Sequence, residues 1–416
     1  MSDKVSLSEI LNSDKGLFVN KQVLKPNYTL KGINEILHRN DEIRTYFEYL
    51  KDIFCGVSPS NIFVYGKPGL GKTIITKWVL EEIKKEAENR DIKLCVIDIN
   101  CDGSETAHAI LQDINEGLPS PKNEKKRNIV NSKAKQIKYF EYLVNNYEGI
   151  ILIVLDEFDK AVNPEIINKI IRTESVLSNQ YPCVICITNE LQLRDRFPPH
   201  LKSTLCENTL IINPYNAEQL IDIVKARMEM ALKPDATAKI VAPLCAALAA
   251  QEHGDARRAI DLLKVSGEIA ELRGKVCIEE QDVIDAKEKI EVDRVIEVVK
   301  TLPIQSKTAL LACIYIFDSG NGNTTNNIYN AYRMLCDAIG IDTLTQRRMT
   351  DLLGELDQLG IIEGTIVFQG RYGRKKQITK ITSKEHALET LYQDFRLKTI
   401  AYIPSNNFFN TSVIRW

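Results

Sequence analysis

Asn61-Ile62-Phe63-Val64-Tyr65-Gly66-Lys67-Pro68-Gly69-Leu70-Gly71-Lys72-Thr73 is the stretch that decides the reading of this chain. Ile62 to Tyr65 favour a strand, a glycine-rich loop follows, and from Thr73 to about residue 85 apolar residues recur at helical spacing. In that context Gly, four residues, then Gly-Lys-Thr is a phosphate-binding P-loop. The residue types explain the chemistry. Gly66, Gly69 and Gly71, with Lys67, Pro68 and Leu70 between them, let backbone N–H groups approach phosphate oxygens. The helix N-terminus favours negative charge, Lys72 reaches the β and γ phosphates, and the Thr73 hydroxyl ligates a metal ion. ATP or ADP with Mg2+ is the expected ligand pair.

Working outward, β-type runs occur at 94–99, 150–155, 184–188 and 210–212, with helical stretches between them. Such continuous apolar runs belong to strands covered on both faces, which predicts a parallel α/β sheet. Ligands in open α/β sheets lie beyond the carboxyl ends of the strands. The run at 150–155 ends in Asp156-Glu157. Asp156 is therefore the candidate Mg2+ ligand, and Glu157 the group that orients or deprotonates an attacking water. The run at 184–188 delivers Asn189, whose amide can touch the γ-phosphate or that water. Upstream, residues 33–54 carry a helical pattern behind Asn40 and Asp41, both capping types. The spacing of Cys183 and Cys186 is that of a metal-binding pair, yet it falls inside an apolar run with no second pair nearby, so core packing is the expectation.

After Pro214 the strand signal stops. Helices are predicted at 217–230, 238–251, 256–273 and 279–290. The third begins with Gly254-Asp255-Ala256-Arg257-Arg258, and two arginines in a first turn oppose the helix dipole at about 0.3–1 kcal/mol each. A phosphate facing this turn would compensate them, and a salt bridge to Asp255 or Asp261 is the alternative. Helices are then expected at 304–317, 326–338 and 345–358, followed by β-like runs at 361–368 and 377–381 around a turn holding Gly370 and Gly373. Three helices and a hairpin make a winged helix-turn-helix. In its third helix Met349, Leu352, Leu356 and Leu359 are expected on one face, with Arg347, Thr350, Asp351 and Gln358 opposite. Thr345, Gln346, Arg347 and Arg348 at its start are candidate DNA contacts. So are Arg371, Tyr372, Arg374, Lys375 and Lys376 of the wing, because residues 369–384 hold six Lys or Arg and no Asp or Glu, a local charge of +6.

Composition bounds these expectations. The chain has 416 residues, 44% apolar and 26% charged, enough for two or three domains at roughly 150 residues each. The longest apolar run, 149–155, is too short to span a bilayer, and the first residues lack a signal-peptide pattern, so a cytoplasmic, nucleoid-associated protein with no membrane partner is expected. The ten cysteines are dispersed and mostly within apolar runs, as reduced core residues would be. A net charge of −2 excludes a global attraction to nucleic acid and puts any such role on local clusters.

Together the motifs resemble the AAA+ ATPases, and within them the archaeal origin recognition complex and cell division control 6 initiator family. The marks are Glu35-Ile36-Leu37-His38-Arg39, the P-loop, Asp156-Glu157-Phe158-Asp159, Ile187-Thr188-Asn189, Lys202-Ser203-Thr204-Leu205, Gly254-Asp255-Ala256-Arg257-Arg258-Ala259 and Leu344-Thr345-Gln346-Arg347-Arg348, in that order. The patterns divide the chain into a flexible tail at 1–16, an α/β domain at 17–213, an all-α domain at 214–292 and a winged-helix domain at 293–416, and the resemblance implies that the second and third are the AAA+ nucleotide-binding domain and its lid. It implies that Asn189 is sensor 1, that Arg257 is sensor 2, and that His38 and Arg39 lie near the adenine. Its implied partners are double-stranded origin DNA, paralogous initiators and the replicative helicase, and its implied role is replication initiation. A DNA motor of the branch-migration helicase type, and a winged-helix P-loop regulator or repressor, share parts of the layout. Family members carry an arginine finger where this chain has His200, with Arg194 and Arg196 the nearby candidates to replace it. A neutral imidazole replaces a guanidinium poorly, so slow hydrolysis with bound nucleotide as a switch is expected. Members also carry a DNA-touching helical element in the place of residues 102–118; here the basic stretch 122–127 follows within a Lys- and Asn-rich insertion at 119–138.

Overall fold

The computed structural model describes residues 16–25, 28, 36–102, 106–120, 132–160, 164–252, 254–319, 323–368 and 374–398. The chain divides into two compact units, 1–283 and 284–416. No helix among the described residues is long and apolar enough to cross a membrane.

The first unit is built on a five-stranded parallel sheet. Its strands are β1 (Ile62–Tyr65), β2 (Leu94–Asn100), β3 (Ile150–Asp156), β4 (Cys183–Thr188) and β5 (Asn208–Ile211), in the spatial order β2-β3-β4-β1-β5. All seven residues of β3 are buried, which is why its sequence shows no alternation. Around the sheet lie α1 (Asn40–Leu50), α2 (Lys72–Asn89), α3 (Ala107–Gly117), α4 (Lys133–Asn145), α5 (Pro164–Arg172) and the short α6 (Pro199–Leu205). Helix α2 buries Ile75, Val79, Leu80, Ile83 and Ala87, the stripe that a helix covering a sheet presents. The pattern upstream predicted one helix to residue 54, but α1 stops at Leu50 and a 3-10 turn, Lys51–Cys55, follows. Neither Asn40 nor Asp41 is the N-cap, since Arg39 occupies that position. All ten cysteines are unpaired, and six of them, Cys183 and Cys186 included, are buried.

Four helices complete the sequence of this unit: α7 (Ala217–Ala231), α8 (Val241–Glu252), α9 (Ala256–Leu272) and the start of α10 (Glu280–Thr301). Asn216 and Gln219 form a reciprocal capping box at the head of α7, with bonds of 2.8 and 3.0 Å. The expected break between lid and winged helix at 292/293 falls inside α10, which runs for 22 residues without interruption. Apolar periodicity ends near residue 290 and resumes at Val295, but no Gly or Pro stands between them, and Glu291 and Arg294 are good helix formers.

The first described residues belong with these helices and not with the sheet. Phe18 bridges to Leu232, Val19 N donates to Ala231 O at 2.8 Å, and Leu17 N donates to Glu271 Oε1 at 2.7 Å. A Cβ on Gly267 would come within 2.4 Å of the Phe18 ring, so the ring seats in a notch that only glycine leaves open on α9.

The second unit packs the rest of α10 with α11 (Ile304–Ser319), α12 (Thr325–Ile339), α13 (Gln346–Gln358), the antiparallel pair β6 (Ile362–Phe368) and β7 (Arg374–Ile381), and α14 (Lys384–Leu391), which sequence reading did not propose. Met349, Leu352, Leu353 and Leu356 are the buried face of α13. Leu359, expected on that face, is 39% exposed. It is the C-cap, and Gly360 at φ 72° ends the helix, so the periodicity no longer applies.

Candidate functional site

Gly66 brings the chain off β1 so close to β5 that a Cβ there would lie 2.8 Å from Ile212 O. Gly69 and Gly71 take left-handed φ values of 76° and 88°, conformations that favour glycine, and Gly71 is the N-cap of α2. Lys72, the first residue of that helix, folds back over the loop: its Nζ donates to Gly66 O (2.6 Å), Lys67 O (2.9 Å) and Asn189 Oδ1 (2.7 Å). Thr73 Oγ1 donates to Asp156 Oδ2 at 2.7 Å. The ends of β1, β3 and β4 therefore meet over the P-loop, as the parallel registers require.

Burial sets the electrostatics. It lowers the Lys72 ammonium to about 8, with the Arg257 charge adding to the effect while Asp156, Asp159 and Glu157 oppose it. Burial likewise pushes the Asp156 carboxyl up, against the hydrogen bonds from Thr73 and from Glu157 N. A buried carboxylate bonded to a threonine hydroxyl beside a buried lysine is a donor set suited to Mg2+ and phosphate oxygens, since both charged groups gain from a counter-ion. Glu157 sits at φ 54° and pairs with Lys160 at 2.7 Å; Lys160 also bonds Asp102. That backbone conformation is uncommon for a non-glycine residue and aims the side chain off the end of β3.

The cavity beside the P-loop has a volume of about 340 Å³. Its polar wall includes Gly69, Gly71, Lys72, Thr73, Asp156, Glu157, Asn189 and Arg257, and its apolar wall includes Val23, Tyr28, Ile36, Leu37, Ile223 and Ile260. The lining thus combines groups suited to a phosphate chain with apolar side chains suited to a flat ring. Of the Gly254-to-Arg258 segment, Arg257 reaches the cavity while Arg258 pairs with Glu252 at 2.8 Å. The ion-pair partner of Arg258 is thus Glu252, while Asp261 acts on both arginines through its field alone.

His38 and Arg39 are occupied elsewhere. His38 Nε2 lies 2.9 Å from Asp222 Oδ2 on α7. Arg39 is 3% exposed; it donates to Glu42 (2.6 Å), to Asn213 O (2.8 Å) and to Leu70 O (3.3 Å), and stacks on the Tyr215 ring at 3.8 Å. From the same segment it is Ile36 and Leu37 that line the cavity. Arg39 ties the P-loop to the segment that enters α7, which no spacing rule signals. Asp159 was a further residue without an assigned role: its Oδ1 accepts from Thr188 Oγ1 (2.9 Å) and Asn189 N (3.0 Å), so it holds Asn189 in place. The signal was present as an acid three residues past Asp156. His200 and Arg196 are exposed, and Arg196 pairs with Glu190 at 2.5 Å.

In the second unit Thr345 caps α13, its Oγ1 accepting from Arg348 N at 3.4 Å, and Gln346 Nε2 donates to Asn326 Oδ1 at 2.7 Å. Arg347 is exposed. Arg348 is exposed too, and lies 3.8 Å from Asp351 and 3.7 Å from Glu355, so its own helix compensates it in part. Arg374, Lys375 and Lys376 stand in β7 opposite Phe368, Val367 and Ile366. Arg371 and Tyr372 lie outside the described residues, as does the stretch 122–127.

A P-loop at the end of a parallel sheet, completed by an acid, an amide and a lid arginine, defines a AAA+ protein. Family models agree along the chain: an AAA domain matches residues 57–197, a Cdc6 AAA+ ATPase-type lid domain 221–288, and a CDC6 C-terminal winged helix domain 297–390. The sequence is 40% identical over 408 residues to an ORC1-type DNA replication protein 1 of Methanosarcina mazei, covering 97% of each chain. It is 40% identical over 407 residues to an ORC1-type DNA replication protein of Pyrococcus furiosus, covering 95% of each. The fold matches the Aeropyrum pernix ORC1 protein, solved in complex with DNA, with a TM-score of 0.78 at 34% identity, over 92% of this chain and 99% of that one. The chain belongs to the ORC1/Cdc6 family of DNA replication initiators.

Proposed function

We propose that this initiator binds double-stranded origin DNA through α13, the wing and its AAA+ part, and that ATP or ADP with Mg2+ in the P-loop cavity switches that binding. Lys72 and Arg257 would hold phosphate, Thr73 and Asp156 the metal ion, and Glu157 and Asn189 the attacking water. With His200 in place of an arginine, hydrolysis is slow, and the bound nucleotide serves as a state marker more than as fuel. Loading of the replicative helicase, in concert with paralogous initiators, is the downstream role.

The observation that carries this reading is the full-length likeness to a chain solved on DNA, at 34% identity. Likeness to replication initiators over 97% of the sequence favours it over the motor and the repressor. Footprinting on genomic origin DNA, with and without ATP, tests it. Protection of a discrete repeated element that changes with nucleotide is expected; sequence-independent binding with strand displacement would replace the initiator by a motor.

A further inference from the structure

The carboxylate of Asp255 lies against the P-loop. A Cβ built on Gly69 would sit 1.6 Å from Asp255 Oδ1 and 2.4 Å from Oδ2, so the carboxylate occupies the space that the missing side chain leaves over the loop. The same Oδ1 accepts from Arg257 N at 2.7 Å, which makes Asp255 the N-cap of α9 and ties the carboxylate to the helix that carries Arg257. Burial pushes the Asp255 carboxyl up, and the charges of Arg257 and Lys72 act against that rise. The acid thus shares its field with the two cations assigned to phosphate.

We propose that Asp255 is an intramolecular competitor of nucleotide phosphate, taking up part of the field of Lys72 and Arg257 at Gly69 and so limiting the affinity of the site. The proposal rests on the nucleotide reading of the cavity. A phosphate drawn to the P-loop N–H groups meets a like charge across Gly69, in a partly buried place where solvent screens poorly. Relief comes from moving the carboxylate, and because that carboxylate caps α9, phosphate occupancy shifts the first turn of the lid helix and Arg257 with it. Nucleotide held this way exchanges faster than the cations alone would allow.

Asp255→Asn keeps the capping oxygen and the side-chain size and removes only the charge. Binding and dissociation of a fluorescent ADP analogue are measured on the full chain at low and high salt, for the wild type, D255N and D255S, the last keeping a capping hydroxyl. About tenfold tighter binding with slower release is expected in the variants, equivalent to about 1.4 kcal/mol, and the gain should shrink as salt rises. Equal or weaker binding in the variants overturns the proposal, since a residue that only caps a helix yields no gain when its charge is removed. Thermal melts identify a variant that fails to fold, in which case the other carries the comparison. A folded wild type that binds no nucleotide removes the reading of the cavity itself, and the proposal with it.

Discussion

Lys72 is the residue on which the site turns. Its ammonium, lowered to about 8 by burial, is ordinarily expected near 10.5. Phosphate stabilises the charged form, so bound nucleotide raises the group again and binding above pH 8 takes up a proton. Above about pH 7, where the terminal phosphate of ADP is already ionised, affinity should hold to about pH 7.5 and fall by up to about tenfold per pH unit as pH rises through 8. Isothermal titration in buffers of different ionisation heat checks both the affinity and the proton uptake. A flat profile would mean that Lys72 is fully charged in the free protein. The P-loop, Asp156, Glu157 and Asn189 were legible because a short motif and the ends of apolar runs mark them. The roles of Asp159 and Arg39 were not, although both residues stand in recognisable motifs: each acts on backbone atoms of a distant segment, Asn189 N in one case and Leu70 O and Asn213 O in the other.

At the scale of elements, the sheet was readable because strands buried on both faces leave uninterrupted apolar runs, β3 above all. The helix ends were less so. Leu359 fell off its face at a C-cap, and α10, expected to end at residue 290, continues to Thr301. Residues 17–25 are the larger surprise, since they pack on α7 and α9 although they precede the sheet in sequence. The notch at Gly267 measures that packing. Gly267→Ala gains helix propensity and on an isolated helix would stabilise it by about 1 kcal/mol. Here the added methyl meets the Phe18 ring, and the variant should instead lose about 1–3 kcal/mol in urea unfolding. Pairing it with Phe18→Ala should recover much of the loss, which separates a steric clash from damage to α9 itself.

Over the whole molecule, a net charge of −2 conceals an uneven distribution of charge. Acids of the first unit surround the P-loop lysine, while residues 369–384 hold a local charge of +6. If the wing tracks phosphates, replacing Arg371 and Arg374 with glutamine should weaken DNA binding and lower the slope of log K against log salt by about 2. An unchanged slope would take the wing off the DNA. The sequence by itself determined the class of fold, the order of the domains and the phosphate-binding motif, because each depends on residues adjacent in the chain or on the period of a single element. Only the tertiary structure decided which arginine faces the cavity, that Glu252 answers the other, that the first described residues clasp the helical part, and that an aspartate presses on Gly69. Apart from the Glu252–Arg258 pair, which bridges a six-residue helix–helix corner, those are contacts between segments more than a hundred residues apart. No local pattern encodes them, since burial and hydrogen bonding are settled by which surfaces meet once the chain has folded.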